Sequence, residues 1–260
     1  MPTDFQAVYG PVRSWRYGCS LGIDPIGPVS VCSFNCVYCQ LGEIEEETQR
    51  RRVFVPTARI LGDLQAFDLT PVEVVTLSGS GEPTLALNLG EILGALGDVT
   101  DKPLLVLTNA TLLADPEVRG QLAQADRAAL KLDAWSAEQL ARVNRPAPGL
   151  DFPAMLEGME RFSAEFGGEL ALQTMVLSPW TDGQLESYLQ LIRRLKPQEI
   201  QLNTPTRPKP QRRELAARGN TPGDYPVQVL KRVSGETLAA LAQTLSQAAG
   251  IPARYPSPEV

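Results

Sequence analysis

Short apolar runs alternate with longer helical patterns along the whole chain, and this alternation is the feature that most constrains the fold. Each run ends near Gly, Pro, Asn, Asp or Thr, which is typical of a buried strand followed by a turn. The six predicted strands are 19–23, 73–77, 104–107, 128–132, 170–176 and 199–202. The predicted helices are 58–67, 87–96, 116–123, 137–143, 153–166 and 184–195, with a last one on which Leu238, Leu241 and Leu245 share a face.

Six strand–helix repeats predict an α/β protein with a parallel sheet covered by helices, either open and doubly wound or an incomplete (β/α)8 barrel. The length of 260 residues favours a single domain over residues 1–260. In both architectures the chemistry lies at the carboxyl ends of the strands. Polar residues lie at the carboxyl ends of five of the predicted strands, so we expect them to line one common opening of the sheet or barrel. They are Ser78 to Thr84, Thr108 with Asn109, Lys131 with Asp133, Gln173 with Thr174, and Asn203 with Thr204.

Composition excludes several classes of function. The chain has no histidine, so it has no Ser-His-Asp or Cys-His nucleophile system, no imidazole base and no His-ligated metal. A net charge of -6 is a poor match for duplex nucleic acid; a nucleic-acid partner is not favoured, although a local basic patch is compatible with this charge. No run of 18 apolar residues and no signal-peptide pattern occurs, so we expect a cytoplasmic protein without a membrane span.

Three of the four cysteines lie within eight residues, in the pattern C-x3-C-x2-C formed by Cys32, Cys36 and Cys39. In a cytosolic chain such a cluster indicates metal binding or redox chemistry rather than a disulfide framework. Three thiolates on one loop can hold a cubane iron-sulfur cluster and leave one iron open for a small molecule. A four-cysteine zinc site that recruits Cys19 is the alternative, but its spacing is not that of two paired knuckles. We expect Cys19 to be a small buried side chain.

This cysteine spacing, with Tyr38 before the last cysteine and Gly81-Glu82-Pro83 one predicted strand later, resembles the radical S-adenosylmethionine superfamily. The resemblance implies that Cys32, Cys36 and Cys39 ligate a [4Fe-4S] cluster whose fourth iron chelates the amino and carboxylate groups of S-adenosylmethionine. Reductive cleavage then gives methionine and a 5'-deoxyadenosyl radical, which abstracts hydrogen from a substrate.

The same resemblance implies a fold and a partner. The fold is a partial TIM-like barrel of six βα units, a radical S-adenosylmethionine core at about 17–205 with a C-terminal extension at 206–260. It agrees with the six repeats counted above. The implied partner is an electron donor such as flavodoxin or ferredoxin.

Further motifs are similar to prokaryotic members of the superfamily described as related to wyosine synthase. They are Tyr9 to Ser14, Ser20 to Ile23, Cys36 to Gln40, Thr108 to Ala110, Lys131 to Ala134, Asn144 to Pro146 and Gln201 to Pro205. Wyosine synthases proper carry N-terminal cysteines for a second cluster and N-terminal lysines that hold pyruvate. Here Cys19 is the only cysteine outside the main motif and the first lysine is Lys102. We therefore do not predict the wyosine reaction itself.

The resemblance assigns cofactor contacts next to the cysteines. Tyr38 is expected near the adenine, since an aromatic ring stacks on a base; the alternative is a core aromatic. Gly79 and Gly81 allow close approach of the backbone to a ligand, and the backbone around Glu82 and Pro83 is expected to bond the methionyl amino group. The alternative for the glycines is a plain turn.

Residues at later strand ends are also candidates for binding S-adenosylmethionine. Thr108, Asn109 and Asp133 can bond its carboxylate or ribose hydroxyls, or else end strands and cap helices. Gln173 and Asn203 carry the same two interpretations. Lys131, predicted on the same strand face as Asp133, can neutralise the cofactor carboxylate, contact an anionic substrate or pair with Asp133; an electrostatic role is favoured over a chemical one.

Two basic tracts bear on the substrate. Arg50 to Arg52 follow the acidic stretch Glu43 to Glu47, which indicates a solvated loop of mixed charge. The tract 207–213 follows the sixth predicted strand and either clamps a phosphate or carboxylate or forms an exposed prolyl linker. The tryptophans are assigned to packing.

The leading hypothesis is a radical enzyme that functionalises an unreactive C–H bond of a nucleotide, a tRNA base or a cofactor precursor. One alternative is an activase that installs a glycyl radical on a partner protein. Another is a non-catalytic iron-sulfur or zinc sensor, which would bind metal without cleaving S-adenosylmethionine and would leave Gly81-Glu82-Pro83 without a role.

Overall fold

The computed structural model describes residues 5–219 and 224–256 and contains one main sheet with helices on its outer side. Its strands are β1 (Val8–Ser14), β2 (Gly18–Ile23), β3 (Val31–Cys32), β4 (Glu46–Glu47), β5 (Val74–Leu77), β6 (Leu104–Thr108), β7 (Arg127–Lys131), β8 (Glu169–Met175), β9 (Glu199–Asn203), β10 (Lys209–Pro210), β11 (Val227–Gln228) and β12 (Ala253–Arg254). Its helices are α1 (Thr57–Leu64), α2 (Leu89–Val99), α3 (Pro116–Leu122), α4 (Ala137–Val143), α5 (Phe152–Glu165), α6 (Asp182–Leu195) and α7 (Gly235–Ala249). Short 3-10 turns occur at Pro83–Leu85 and Leu215–Gly219.

The main sheet has eight strands in the order β1-β2-β5-β6-β7-β8-β9-β12. Every pair from β2 to β12 is parallel, whereas β1 pairs antiparallel with β2. The sheet is curled into a half-barrel, a partial TIM-like α/β fold. The six predicted strands are therefore confirmed as β2 and β5 to β9, and the seven predicted helices are confirmed as α1 to α7.

The two outer strands of this sheet, β1 and β12, were not predicted from the sequence. β1 contains Pro11, which lacks an N–H, and the ladder with β2 shifts register between Tyr9 and Val12. β12 has only two residues, too few for an alternating pattern to be recognised. Both strands lie outside 17–205, so the main sheet extends beyond the predicted core at each end.

The hydrophobic core lies mainly between the sheet and its helices, where α5 and α6 bury Phe162 and Tyr188 completely. Trp135 and Trp180 pack edge to face at 5.2 Å, which agrees with their assignment to packing. No helix in the described part of the chain is long and apolar enough to cross a membrane.

The inner face of the half-barrel carries a second, smaller apolar layer. It consists of Val74, Leu105, Ala129 and Ala171, one from each of four neighbouring strands. Because side chains two residues apart share a face of a strand, the next inward positions on the last two of these strands are Lys131 and Gln173, which are paired in register. The inner face thus changes from apolar to polar towards the carboxyl ends of the strands.

Candidate functional site

The loop between β2 and α1 carries the three clustered cysteines across the carboxyl ends of the strands. Cys32 ends β3, and Cys36 and Cys39 follow; all three are half-buried and free of disulfide bonds. Backbone bonds fasten the loop to the turn after α4, since Asn35 N donates to the carbonyl of Asn144 at 3.0 Å. The predicted cysteine loop is therefore held in place by the protein.

Nitrogen donors point at two of the three sulfur atoms. Cys32 Sγ accepts from the backbone N–H of Phe34 at 3.4 Å and from Asn109 Nδ2 at 3.5 Å. Cys36 Sγ accepts from Asn144 Nδ2 at 3.3 Å. Donors to sulfur stabilise thiolate character and tune iron-sulfur clusters, so the surroundings suit metal-bound thiolates.

Burial, and after it the neighbouring Asp133 and Cys39, raise the pKa of the Cys36 thiol to about 12. Burial also raises the pKa of Cys39, while the cations Lys209 and Arg213 oppose this shift. Without a metal these thiols remain protonated at neutral pH. A bound metal would replace the protons and supply the positive charge that the thiolates lack.

The donor set fits a polynuclear cluster better than a single metal ion. Within residues 5–219 and 224–256, no three His, Cys, Asp or Glu side chains come together as ligands of one ion. A cubane cluster presents a different iron to each thiolate, so Cys32, Cys36 and Cys39 need not meet at one ion to hold it. Cys19 lies near the amino end of β2, away from this loop, and is half-buried rather than buried as expected.

The loop after β5 packs against the cysteine loop at Gly81. Val31 and Gly81 form a β-bridge, and Glu82 N donates to the Val31 carbonyl at 3.1 Å. A Cβ at position 81 would come within 1.7 Å of that carbonyl oxygen, so this position requires glycine. The close approach predicted for Gly81 is thus made to the protein's own backbone, directly before Cys32.

Gly79 makes a comparable approach to Asp24. Its φ is +127°, and a Cβ there would lie 2.5 Å from the Asp24 carboxyl carbon. Asp24 is fully buried and accepts from Ser80 Oγ at 2.7 Å and from Arg218 NH1 at 2.7 Å. Asp24 was not among the predicted site residues, although it directly follows β2 and so fits the rule that polar residues occur at strand ends.

The buried side chain of Glu82 joins the loop after β5 to the end of β6 through hydrogen bonds. Its carboxylate accepts from the Thr108 hydroxyl at 2.6 Å, from Asn109 N at 2.7 Å and from the Thr84 hydroxyl at 2.7 Å. Burial raises the pKa of Glu82, while these hydrogen bonds act in the opposite direction. Glu82, Thr108 and Asn109 therefore bond mainly to one another and to the cysteine loop. Pro83 begins the 3-10 turn after Glu82.

Asp133 joins the cysteine loop to the ends of β7 and β8. Its buried carboxylate accepts from the Tyr38 hydroxyl, from Asn144 Nδ2 at 2.8 Å and from Met175 N at 2.7 Å. Lys131 Nζ lies 3.5 Å from Asp133 Oδ1 and 5.0 Å from the centre of the Tyr38 ring. The sequence reading assigned no role to Asn144, whose only signal was its place in a quoted motif.

Gln173 and Asn203 lie further along the sheet. Gln173 Nε2 donates to Gln201 Oε1 at 2.9 Å, and Gln201 Nε2 donates to the Tyr17 hydroxyl at 2.9 Å. Gln173 therefore lies on the inner face of the half-barrel, beside Lys131. Asn203 ends β9, is half-buried, and accepts from Thr204 N through Oδ1 at 3.0 Å.

The tract 207–213 forms part of a crossing segment, residues 207–218, that runs from the end of β9 to the cysteine loop. Lys209 is buried and donates to Glu43 at 2.9 Å, and Arg213 donates to Ser80 Oγ at 2.7 Å. The expectation of an exposed linker is thus wrong for Lys209 and Arg213, because both side chains are largely buried. The expectation of an anion clamp is wrong for Lys209, whose ammonium is paired with Glu43.

The other basic tract also differs from expectation in part. Arg52 is exposed and pairs with Glu46, as a solvated loop of mixed charge should. Arg51 is largely buried and donates to the carbonyl oxygens of Thr84 and Ala86, so that expectation is wrong for this residue.

A family model described as the Radical SAM superfamily matches residues 26–192, which include the three cysteines and Gly81-Glu82-Pro83. A UPF0026 protein of Synechocystis is 57% identical over 258 residues, covering 98% of this chain and 97% of that protein. Its description says nothing of wyosine synthase, so the predicted relation to that group stays a prediction.

Solved structures agree with the fold. A radical SAM methyltransferase from Sphaerobacter thermophilus has a TM-score of 0.63 at 15% identity, over 91% of this chain and 65% of that one. SuiB of Streptococcus suis, solved with S-adenosylmethionine bound, has a TM-score of 0.59 at 14% identity, over 92% of this chain and 47% of that one. This chain spans between about half and two thirds of those two proteins, and at such identities the likeness is one of fold.

Proposed function

Because the chain belongs to the Radical SAM superfamily and to the UPF0026 family, we propose that it is an enzyme that cleaves S-adenosylmethionine reductively at a [4Fe-4S] cluster, yielding a 5'-deoxyadenosyl radical that abstracts hydrogen from a substrate. Members of this superfamily use this cluster and S-adenosylmethionine as cofactors. The observation that carries the proposal is the loop of Cys32, Cys36 and Cys39, fastened to the 79–83 loop at the carboxyl ends of a half-barrel.

Cys32, Cys36 and Cys39 are the proposed cluster ligands. The amide groups of Asn109 and Asn144 support this role, since they donate to Cys32 and Cys36 and fix the directions of those thiols. Their N–H groups would also offset negative charge on bound thiolates.

The loop 79–83 is proposed to face the methionyl amino group of S-adenosylmethionine through its backbone. The bridge between Gly81 and Val31 supports this role, because it sets the loop one residue from Cys32. The side chain of Glu82 is then not a direct contact of the cofactor. Its hydrogen bonds with Thr108 and Asn109 hold the loop against the end of β6.

Lys131 and Tyr38 are proposed to contact the cofactor. Lys131 is 23% exposed, so its ammonium remains accessible to a carboxylate while Asp133 orients it. The Tyr38 hydroxyl is held by Asp133, which fixes the ring beside Cys39, and the ring is proposed to lie against the adenine. Gln173 and Asn203 are further proposed contacts, for ribose or carboxylate oxygens.

The reaction also needs a reductant, and a flavodoxin or ferredoxin is the proposed electron donor. The test is the electron paramagnetic resonance spectrum of the reduced, anaerobically reconstituted protein before and after addition of S-adenosylmethionine. We expect a cluster signal that changes when S-adenosylmethionine binds to the open iron, in the wild type and in Cys19→Ala. We expect no such signal in Cys36→Ala.

The matched cysteine variants make this test specific. A wild-type cluster signal that does not respond to S-adenosylmethionine would contradict the proposal and favour a sensor. Loss of the cluster in Cys19→Ala with retention in Cys36→Ala would contradict the ligand assignment.

A further inference from the structure

The main sheet ends at β1 on one side and at β12, beside β9, on the other, and no strand pairing joins these two edges in the described residues, which leaves an open seam. The turn between β1 and β2 reaches across this seam at two points. The Tyr17 hydroxyl accepts from Gln201 Nε2 at 2.9 Å, and Arg254 NH2 donates to the Trp15 carbonyl at 3.1 Å. Arg16 stands between these two anchored residues, so its side chain begins at the seam.

Arg16 is a cation without a partner in residues 5–219 and 224–256. Its guanidinium stacks on the Trp15 ring at 4.5 Å, and its Nε is buried without a hydrogen-bond acceptor. The acidic residue that influences it, Glu199, is already paired with Arg254 at 3.3 Å. Burial lowers the pKa of Arg16 to about 10, which is the cost of losing water without gaining a carboxylate. Arg16 as a whole is half-buried, and a buried guanidinium nitrogen without an acceptor calls for a functional explanation.

Arg207 is an exposed cation that forms no ion pair within residues 5–219 and 224–256. It follows β9 and donates to Gln40 Oε1 at 2.5 Å, and Gln40 is the residue after Cys39. Its neighbours in the crossing segment differ, because Lys209 and Arg218 each form an ion pair with a carboxylate. The charge of Arg207 also lowers the pKa of Arg16, because the two guanidiniums lie near enough to repel each other.

The inner face of the sheet beside Tyr17 carries polar side chains. Gln201 and Gln173 form a chain of amides from Tyr17 towards Lys131. Amides and a phenol can bond the neutral part of a ligand. Guanidinium forks match the paired oxygens of a phosphate or carboxylate, so the missing partner has the chemistry of an oxyanion.

We propose that the seam binds an oxyanion group of the substrate, a phosphate or a carboxylate, through Arg16 and Arg207. The proposal rests on the proposed function for placing a substrate beside the cysteine loop, to which Gln40 ties Arg207. It makes the substrate an anionic small molecule and makes Arg16 a residue that determines specificity.

The test is binding of inorganic phosphate, and separately of acetate, to the cluster-loaded protein at low ionic strength by calorimetry. We expect affinity for the preferred anion to fall by about tenfold or more in Arg16→Met and Arg207→Met, because each removes charge-assisted hydrogen bonds. Arg16→Lys keeps the charge but not the fork, so an intermediate affinity is expected. Arg13→Met is the control, since Arg13 is exposed on β1.

Thermal unfolding of the ligand-free variants separates recognition from support of the turn. We expect Arg16→Met to unfold no earlier than the wild type, since it removes an unpaired cation. A lower unfolding temperature with unchanged phosphate and acetate binding would show that Arg16 only supports the turn, and would overturn the proposal. Equal binding by all variants would indicate an adventitious ion only and would also overturn it, as would absence of binding to the wild type.

Cleavage of S-adenosylmethionine, measured on the same samples, distinguishes the two proposals. Anion binding that depends on Arg16 in a protein that never cleaves S-adenosylmethionine would overturn the proposed function and leave the anion site standing. Cleavage by the wild type together with Arg16-independent anion binding would overturn the anion site alone.

Discussion

Individual side chains around the cysteines have more than one task, and Asn144 is the clearest example. Its Nδ2 lies within hydrogen-bond distance of Cys36 Sγ, of Asp133 and of the Tyr38 hydroxyl. One amide group therefore connects a proposed cluster ligand with the residues proposed to adjoin the cofactor. Buried polar networks of this type are sensitive to the loss of any member.

We expect Asn144→Ala to lower the free energy of unfolding by about 1–3 kcal/mol, because a buried carboxylate loses a donor. We also expect the reduction potential of the loaded cluster to fall, since an N–H donor to a thiolate sulfur is lost. Urea unfolding and redox titration measure the two effects. An unchanged potential in a fully loaded variant would contradict the tuning role.

Gly81 gives a sharper steric prediction. A methyl group at this position would meet the Val31 carbonyl oxygen at 1.7 Å, so Gly81→Ala must displace the loop from Cys32. We expect a loss of about 3 kcal/mol in stability and a lower iron content after reconstitution. Gly97→Ala on the exposed side of α2 is the control, because no atom lies within 4 Å of its added Cβ and a helix gains about 0.5–1 kcal/mol from this change. A Gly81→Ala protein as stable and as iron-rich as the wild type would refute this steric requirement.

At the scale of elements, the crossing segment fixes the cysteine loop at a second place besides the turn after α4. Glu214 N donates to the Leu41 carbonyl at 3.1 Å, and the Lys209–Glu43 pair lies next to this contact. The hydrogen bond from Lys209 holds the pKa of Glu43 below its ordinary value. A depressed carboxyl pKa stabilises the folded state above the ordinary glutamate pKa, and this contribution is lost as pH falls through the folded pKa.

We therefore expect Glu43→Gln to be less stable than the wild type at neutral pH and to lose less stability on acidification below about pH 4.3, the unperturbed glutamate value. Because Glu43 is 55% exposed, solvent screens the pair and the neutral-pH loss should be about 1 kcal/mol or less. Denaturant unfolding at several pH values measures both effects. Equal pH slopes for the two proteins would contradict the pair's contribution.

Limited proteolysis tests the same element independently. Glu43→Gln leaves Lys209 buried without its carboxylate, so we expect faster cleavage within the crossing segment than in the wild type. Glu138→Gln on exposed α4 is the control, since its pair with Arg142 is solvated. Identical cleavage in all three proteins would show that the pair does not fasten the segment.

The limits of sequence reasoning also appear at this scale. The strands β5 to β9 were predictable because buried apolar runs ended at turn residues, whereas β12 has no pattern of its own and depends on its neighbour β9. Lys131, Gln173 and Asp133 were located at strand ends by the same rule. The sequence could not predict which of these side chains would form hydrogen bonds within the protein and which would stay available to a ligand. Partners such as Asn144 and Met175 come from other elements of the fold.

At the scale of the whole molecule, the half-barrel brings the cysteine loop and the hydrogen-bonded groups around Glu82 and Asp133 to the carboxyl ends of its strands. The elevated pKa values of Cys36 and Cys39 make cluster assembly a step that releases protons. We expect reconstitution to be more complete at about pH 8.5 than at about pH 7. Visible absorption and iron content measure this dependence, and more complete loading at the lower pH would contradict it.

The most direct test of the central claim is formation of 5'-deoxyadenosine by the anaerobically reconstituted, dithionite-reduced protein supplied with S-adenosylmethionine. The wild type and Cys19→Ala are predicted to form it, and Cys36→Ala is predicted to form none. Equal formation in Cys36→Ala would contradict the claim that Cys36 helps to hold the reactive cluster. Zinc as the only bound metal in the wild type, with S-adenosylmethionine left intact, would contradict the claim of radical chemistry altogether.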